Sequence, residues 1–274
     1  MDDSERAALA EQYADADNLN ARVRLHENYD TADRGWWQWV FDHVDAPADA
    51  DVLEVGCGPG YLWRDVADRV PPGWDRLLTD FSPGMVDEAR ATLAEAPTTP
   101  AKGGGDTGSG DEDAPEPRFA AAAAESLPLP ADSIDVVFAN HMLYHVDREA
   151  ALPEIRHVLR PGGRLHATTN GESNLQELRS LITATSDFEP PSATEFSLEN
   201  GPDQLAAHFE RVERFERASQ LRVPDLEPLV AYTGSLPPVG RDELDAFAAL
   251  AAEELGDSPF TIEKSMGMLV ARAP

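Results

Sequence analysis

The chain has one cysteine, Cys57, among 274 residues, so no intrachain disulfide can hold it together. It has two lysines, Lys102 and Lys264, and its cationic side is otherwise all arginine. Against 22 basic residues stand 51 acids, a formal charge of −29. A surface this short of positive charge repels a phosphate backbone, which argues against a direct nucleic-acid partner. No apolar run is long enough to span a bilayer. The amino terminus, Met-Asp-Asp-Ser-Glu-Arg, is acidic and has no apolar stretch, unlike a secretory signal. The expected location is the cytoplasm.

The acid excess suits high salt, where screening suppresses self-repulsion. A halophilic, haloarchaeal host is the expectation. The melting temperature should then rise between low salt and molar KCl; a flat or falling curve would count against it. Hydrophobic residues make up 42% of the chain, enough for the core of one large domain, or of a domain with a cap. There is no internal repeat.

The first 45 residues read as helical, with Trp36, Trp37, Val40 and Phe41 on one face, and form an expected amino-terminal cap ahead of a domain over 46–274. Strands are expected at Asp51–Val55, Arg76–Thr79, Arg118–Ala122, Ile134–Ala139 and Arg164–Thr168, then around 212–223 and 260–271. Helices are expected between them at Tyr61–Arg69, from Ser82-Pro83 to about Leu93, and from Arg148 to Leu159, where Pro153 forces a kink or a late start. Further helices are expected at 174–182, 202–209 and 241–255. The alternation implies an α/β fold, a mostly parallel sheet with helices on both faces. Residues 96–117, with Gly103-Gly-Gly and Asp111-Glu-Asp, read as a flexible acidic excursion. Residues 170–201 read as a wall on the substrate side.

The densest signal is Asp51-Val-Leu-Glu-Val-Gly-Cys-Gly-Pro-Gly60, a buried strand that runs into a glycine turn. Bare backbone there lies at the carboxyl end of a first parallel strand, where open α/β sheets bind ligands. Gly56, Gly58 and Gly60 are spaced G-x-G-x-G, not the G-x-G-x-x-G of dinucleotide sites. Glu54 ends the buried strand, so its carboxylate needs a partner: the turn amides or a ligand ammonium. Asp80 ends the second strand, 20 residues beyond Gly60, and suits either a ribose diol or a helix cap ahead of Ser82. Phe81 suits an adenine wall or the core. Cys57 fills a tight turn, with no base beside it to activate a thiol.

These segments, with Leu78-Thr-Asp-Phe-Ser-Pro-Gly-Met85, Glu125-Ser-Leu-Pro-Leu-Pro130, Ile134–Ala139 and Leu159-Arg-Pro-Gly-Gly163, resemble the class I S-adenosylmethionine-dependent methyltransferases of the small-molecule type. The resemblance covers about Asp51 to Thr169, and the ordered set of segments is more specific than any one of them. It implies a Rossmann-like sheet of seven strands, order 3-2-1-4-5-7-6 with strand 7 antiparallel. It implies S-adenosyl-L-methionine as cofactor and S-adenosyl-L-homocysteine as product. By the resemblance Gly56, Gly58 and Gly60 border the methionine part, Glu54 helps place its amino group, Asp80 holds the ribose and Phe81 lies by the adenine. Ala124 and Glu125 contact the adenine edge and Asn140 offers backbone near the methionine end. One departure is Ala123, where the family commonly carries an acid for the adenine amino group.

Asn140-His-Met-Leu-Tyr-His145 follows the fourth strand. His141, Tyr144 and His145 are the candidates to take a proton from the acceptor, the alternative for each being packing and cofactor positioning. His141 and His145 are four apart, as a helical metal pair would be, but no third ligand appears and no metal is expected. The segment is not the Asn/Asp-Pro-Pro-aromatic motif of the amino-group DNA methyltransferases. The expected partner is a small-molecule acceptor, with no nucleic acid and no membrane; the sequence does not set the oligomeric state. Two other readings compete: an S-adenosylmethionine-binding protein without catalysis, and an NAD-dependent oxidoreductase.

Overall fold

A computed structural model describes residues 17–95, 115–188, 195–236, 239–256 and 258–274. Nearly all of the expected acidic excursion, 96–114, lies outside the described residues, as do residues 1–16 of the expected cap and 189–194 of the expected substrate-side wall.

The elements run α1 (Asp17–Tyr29), α2 (Trp36–Asp42), β1 (Asp51–Val55), α3 (Tyr61–Asp65), β2 (Asp75–Asp80), α4 (Pro83–Glu95), β3 (Arg118–Ala121), β4 (Ile134–Asn140), α5 (Arg148–Val158) and β5 (Leu159–Asn170). They continue with α6 (Gln176–Thr185), α7 (Gly201–Ala206), β6 (Arg211–Val223), α8 (Leu226–Gly234), α9 (Arg241–Leu255) and β7 (Phe260–Arg272). The seven strands form one sheet in the order β3-β2-β1-β4-β5-β7-β6, as the resemblance implies. β1 pairs parallel with β2 and β4, and β2 parallel with β3. β7 is antiparallel to β5: Gly162 N donates to Ala273 O, and Gly171 N to Ser265 O, so one index falls as the other rises.

The central strands are read from sequence because both their faces are covered. Val52, Leu53, Glu54 and Val55 of β1 are all buried, and so are Val136 to Asn140 of β4, the continuous apolar pattern of a parallel interior strand. At the amino end of these strands Arg160 bridges Asp135 and Asp51 at 2.5 and 2.7 Å. α5 begins where expected, with Asp147 Oδ1 accepting from Glu149 N at 3.0 Å. Pro153 falls inside this helix. The helix expected over Tyr61–Arg69 is shorter: α3 ends at Asp65, and Ala67–Arg69 is a separate 3₁₀ turn after Val66 leaves helical geometry.

The chain divides into two compact units. One comprises Trp36–Ala167, Gln204–Glu213 and Val270–Pro274. Its core gathers Phe41, Val52, Leu62, Trp63, Trp74, Leu78, Val136 and Phe138, with Trp37 packed against it. The other comprises residues up to Gly35, Thr168–Asp203 and Arg214–Leu269. Its core gathers Leu25, Leu178, Ile182, Leu221, Leu229, Phe247 and Ile262, which are the apolar faces of α1, α6, α8 and α9 against β6 and β7. α8 is not anticipated from the sequence. Leu226, Leu229, Val230 and Thr233 do carry a helical period, but Pro224 and Pro228 mask it. Among the described residues no helix is long and apolar enough to cross a membrane.

Candidate functional site

The register brings the sequence-predicted residues to one edge of the sheet. Val55 pairs with Thr79 on one side and Ala139 on the other, so Glu54, Asp80 and Asn140 arrive together at the carboxyl ends of β1, β2 and β4. Between β1 and α3 the chain turns through Gly56, Gly58 and Gly60, all left-handed, with φ of 66, 51 and 79°. Only glycine takes that conformation three times without a Cβ penalty. The turn is pinned by Cys57 N donating to Thr79 O at 2.9 Å and Gly60 N to Cys57 O at 3.0 Å. A Cβ on Gly56 would meet Met142 Cβ at 2.9 Å, whereas a Cβ on Gly58 would meet nothing within 4 Å. Gly58 therefore presents bare backbone to open space.

Glu54 is 2% exposed. Trp63 Nε1 donates to its Oε2 at 2.5 Å and Asn140 Nδ2 to its Oε1 at 2.8 Å. The donors are thus two side chains, where the sequence offered the turn amides as the protein's own partners for this carboxyl. The reason lies in the register. Phe138 is the strand partner of Glu54, and Trp63 packs edge-on against Phe138, ring centroids 5.6 Å apart, which brings the indole N–H to the carboxyl. Burial pushes the Glu54 pKa up to about 8, with the nearby Asp80 charge adding to the rise and the two donors opposing it. Trp63 and Asn140 are neutral donors, so the carboxyl has hydrogen bonds but no countercharge.

Asp80 accepts from Gly58 N through Oδ2 at 2.9 Å and from Ser82 N through Oδ1 at 2.8 Å. One bond holds the glycine turn and the other starts α4; each oxygen keeps a further lone pair. Burial raises its pKa, and the two backbone donors lower it. Phe81 is 41% exposed, a large apolar ring beside Asp80 outside the core. Ala124 is buried. Glu125 Oε1 accepts from Asp147 N at 3.2 Å, at the head of α5, and Ala123 O accepts from Ser126 N. Cys57 is buried, and burial pushes its thiol well above its ordinary pKa, with Glu54 and Asp80 adding to the shift. That environment disfavours the thiolate a nucleophile needs.

Beyond β4 the chain does not continue as a helix. His141 is left-handed at φ 51°, an uncommon state for a residue with a Cβ, and its ring packs 5.5 Å from Trp36. Leu143–His145 forms a 3₁₀ turn, with the Tyr144 and His145 rings 4.5 Å apart, edge to face. His141 and His145 thus do not share a helical face, and the metal-pair geometry that their spacing suggested is absent. Among the described residues no group of three His, Cys, Asp or Glu side chains could hold a metal ion.

Two participants were missed in the sequence. Trp63 carried a signal, an indole one turn into the helix after the glycines, close enough in sequence to reach back to Glu54. Arg148 carried less. Its Nη1 donates to Leu143 O at 3.1 Å and Val146 O at 3.3 Å, and its Nε to Gln204 Oε1 at 2.9 Å. It braces the turn that bears Tyr144 and His145.

Comparison with known proteins points the same way. Residues 53–167 match the family described as "Methyltransferase domain". A ubiquinone/menaquinone biosynthesis C-methyltransferase of Hahella chejuensis is 34% identical over 133 residues, which cover 48% of this chain and 47% of that protein. A malonyl-[acyl-carrier protein] O-methyltransferase of the same organism is 34% identical over 133 residues, covering 47% of this chain and 39% of that one. The chain thus spans about half the length, or less, of these curated relatives. The YcgJ protein of Bacillus subtilis shares the fold, with a TM-score of 0.58 at 17% identity, over 86% of this chain and 97% of that one.

Proposed function

We propose, from the match of residues 53–167 to the methyltransferase-domain family and the strand order of the sheet, that this is a class I S-adenosylmethionine-dependent methyltransferase that moves a methyl group from S-adenosyl-L-methionine to a small-molecule acceptor. The observation that carries this reading is the charge of the site. Two carboxyls, the buried Glu54 and the half-buried Asp80, flank a left-handed glycine turn, and among the described residues no salt-bridge partner is seen for either. Such a site needs a cation and hydrogen-bond donors. An S-adenosyl amino acid offers an ammonium, a sulfonium and a ribose diol. Asp80 suits the ribose of either cofactor, but the pyrophosphate of NAD would bring negative charge towards the buried Glu54 beside the turn, which does not suit the oxidoreductase reading.

In this reading Asp80 uses its remaining lone pairs for the ribose hydroxyls, and Phe81 offers its exposed ring to the adenine. Ala124 and Glu125 border the adenine edge, and the backbone of Gly56, Gly58, Gly60 and Asn140 surrounds the amino-acid end. Bound there, the cofactor supplies an already activated methyl group. The protein then has to align the acceptor atom with the methyl carbon and exclude water. Orientation of this kind is worth up to about 7–11 kcal/mol in favourable cases. In this reading His141, Tyr144 and His145 are the candidates to take a proton from the acceptor, and Tyr144 and His145 lie on the 3₁₀ turn that Arg148 braces through Leu143 O. The two relatives are named for different acceptors, a carbon in quinone biosynthesis and an oxygen of malonyl-[acyl-carrier protein]. Two acceptors so different among relatives of similar identity leave the acceptor of this chain to experiment.

The acid excess supports a second element of the proposal, that the protein works at high salt inside the cell. Calorimetry with S-adenosylhomocysteine and NAD in parallel tests the cofactor. Binding of the first and not the second is expected, and the reverse would overturn the reading. Incubation with methyl-labelled cofactor and a small-metabolite extract, followed by mass spectrometry, should then reveal a labelled product. Tight binding with no label transferred to any extract would favour a binding protein without catalysis.

A further inference from the structure

We infer that cofactor capture expels the proton of Glu54, so that the site binds the S-adenosyl amino acid more tightly as pH rises. The inference rests on the cofactor reading above, and its test separates the two.

The geometry comes first. Glu54 is buried at the end of β1, and both its oxygens already accept from neutral donors, Trp63 Nε1 and Asn140 Nδ2. Among the described residues no Lys, Arg or His pairs with it. The ionisable groups whose charge reaches it are Asp80 from β2 and Cys57 from the turn, and both would add negative charge when ionised. From α3 and β4 the groups that face it are the neutral indole and carboxamide. The buried cation of β2, Arg76, lies 5.3 Å over the Trp63 ring and donates through Nη2 to Pro115 O at 2.6 Å; it contacts the tryptophan, not the carboxyl. Two acids therefore converge on one turn with no countercharge, an arrangement in which one holds its proton.

Glu54 is that acid. Each acid accepts two N–H bonds, but Glu54 is buried while Asp80 is only partly so, and burial is what penalises the charged form. With its pKa raised to about 8, Glu54 is largely protonated at neutral pH in the free protein. A cation entering the turn stabilises the carboxylate and not the acid, so binding releases the proton to solvent. By linkage, affinity rises about tenfold per pH unit well below that pKa and levels off above it.

The test is calorimetry of S-adenosylhomocysteine binding in two buffers of different ionisation heat, which counts protons directly. At about pH 6.5 wild-type protein should release close to one proton per ligand, and the number should fall as pH passes 8. Glu54→Gln, which keeps the shape and removes the titration, should release none, and its affinity should be flat over the same range. Wild-type binding that shows no buffer dependence at about pH 6.5, or a Glu54→Gln protein that releases the same proton, would overturn the inference while leaving the cofactor reading intact. Failure of wild-type protein to bind the ligand at any pH would overturn both. Should Glu54→Gln fold poorly, thermal unfolding of the free wild-type protein gives a second reading. A carboxyl whose folded pKa lies above its unfolded value contributes stability that is full below the unfolded value and is lost as pH rises through the folded one. The melting temperature should therefore drop from pH 5 towards 8, and saturating ligand should remove most of that drop. A drop that ligand leaves unchanged would count against the inference.

Discussion

Gly58→Ala should yield a folded protein whose affinity for S-adenosylhomocysteine has fallen at least about a hundredfold, or about 2.7 kcal/mol. The expectation follows from what the new methyl group would meet. Within the protein it meets nothing within 4 Å, so the cost to the fold is that of one left-handed alanine, about 1–2 kcal/mol. On the outer side the methyl occupies the space through which a ligand would approach the bare backbone. Gly56→Ala is the contrast. Its Cβ would press on Met142 Cβ at 2.9 Å and is also left-handed, so stability and binding should fall together. Melting curves and calorimetry on both variants separate the two effects. His145→Ala supplies the scale for chemistry. If alignment carries most of the acceleration, its loss of turnover should be smaller than that of Gly58→Ala. A His145→Ala protein that binds cofactor normally and turns over nothing would make His145 an essential base.

The halves of this site were unequally legible in the sequence. β1, its glycine turn and β4 could be read because their determinants are local: unbroken apolar runs buried on both faces, then residues that tolerate left-handed backbone. Asp80 was legible for the same reason, as it ends one strand and caps the next helix within three residues. The partners of Glu54 were not. Trp63 and Asn140 lie 9 and 86 residues away, and only the register of β1 on β4 brings the second into reach. The left-handed His141 was equally hidden, since a spacing of four reads as a helix until the backbone is seen to break. α8 was lost because Pro224 and Pro228 outweigh a helical period whose stabilisation comes from packing in its own unit. In each case the missing information was tertiary.

Asp30→Asn is the substitution expected to cost most in stability, about 3–5 kcal/mol, because it removes the carboxylate that, among the described residues, pairs with both buried cations Lys264 and Arg217. Asp30 ends up at the corner after α1, where Thr31 N donates to Gln220 O of β6 at 2.9 Å. Its Oδ2 accepts from Lys264 Nζ at 2.5 Å and from Arg217 Nη1 at 2.8 Å, and its Oδ1 from Ala32 N at 3.0 Å. The Lys264 and Arg217 side chains are only 1% and 6% exposed. Asparagine keeps the shape and loses the charge, leaving two buried cations face to face. Burial by itself would raise the Asp30 pKa, but hydrogen bonds from Lys264, Ala32 and Arg217 outweigh it and hold the carboxyl down at about 2. The sign follows. A carboxyl whose folded pKa lies below its unfolded value contributes stability that is present above the unfolded value, near 4, and is lost as pH falls through about 2. Denaturant melts should therefore show the full gap between wild type and Asp30→Asn at neutral pH, and a gap that closes as both are acidified below about pH 3. The surface pair Arg118–Asp75, with side chains 66% and 53% exposed, is the control: Asp75→Asn should stay within about 1 kcal/mol. If Asp30→Asn were as mild as that control, the cluster would be hydrated in solution and would not be a buried clamp on the α1 corner.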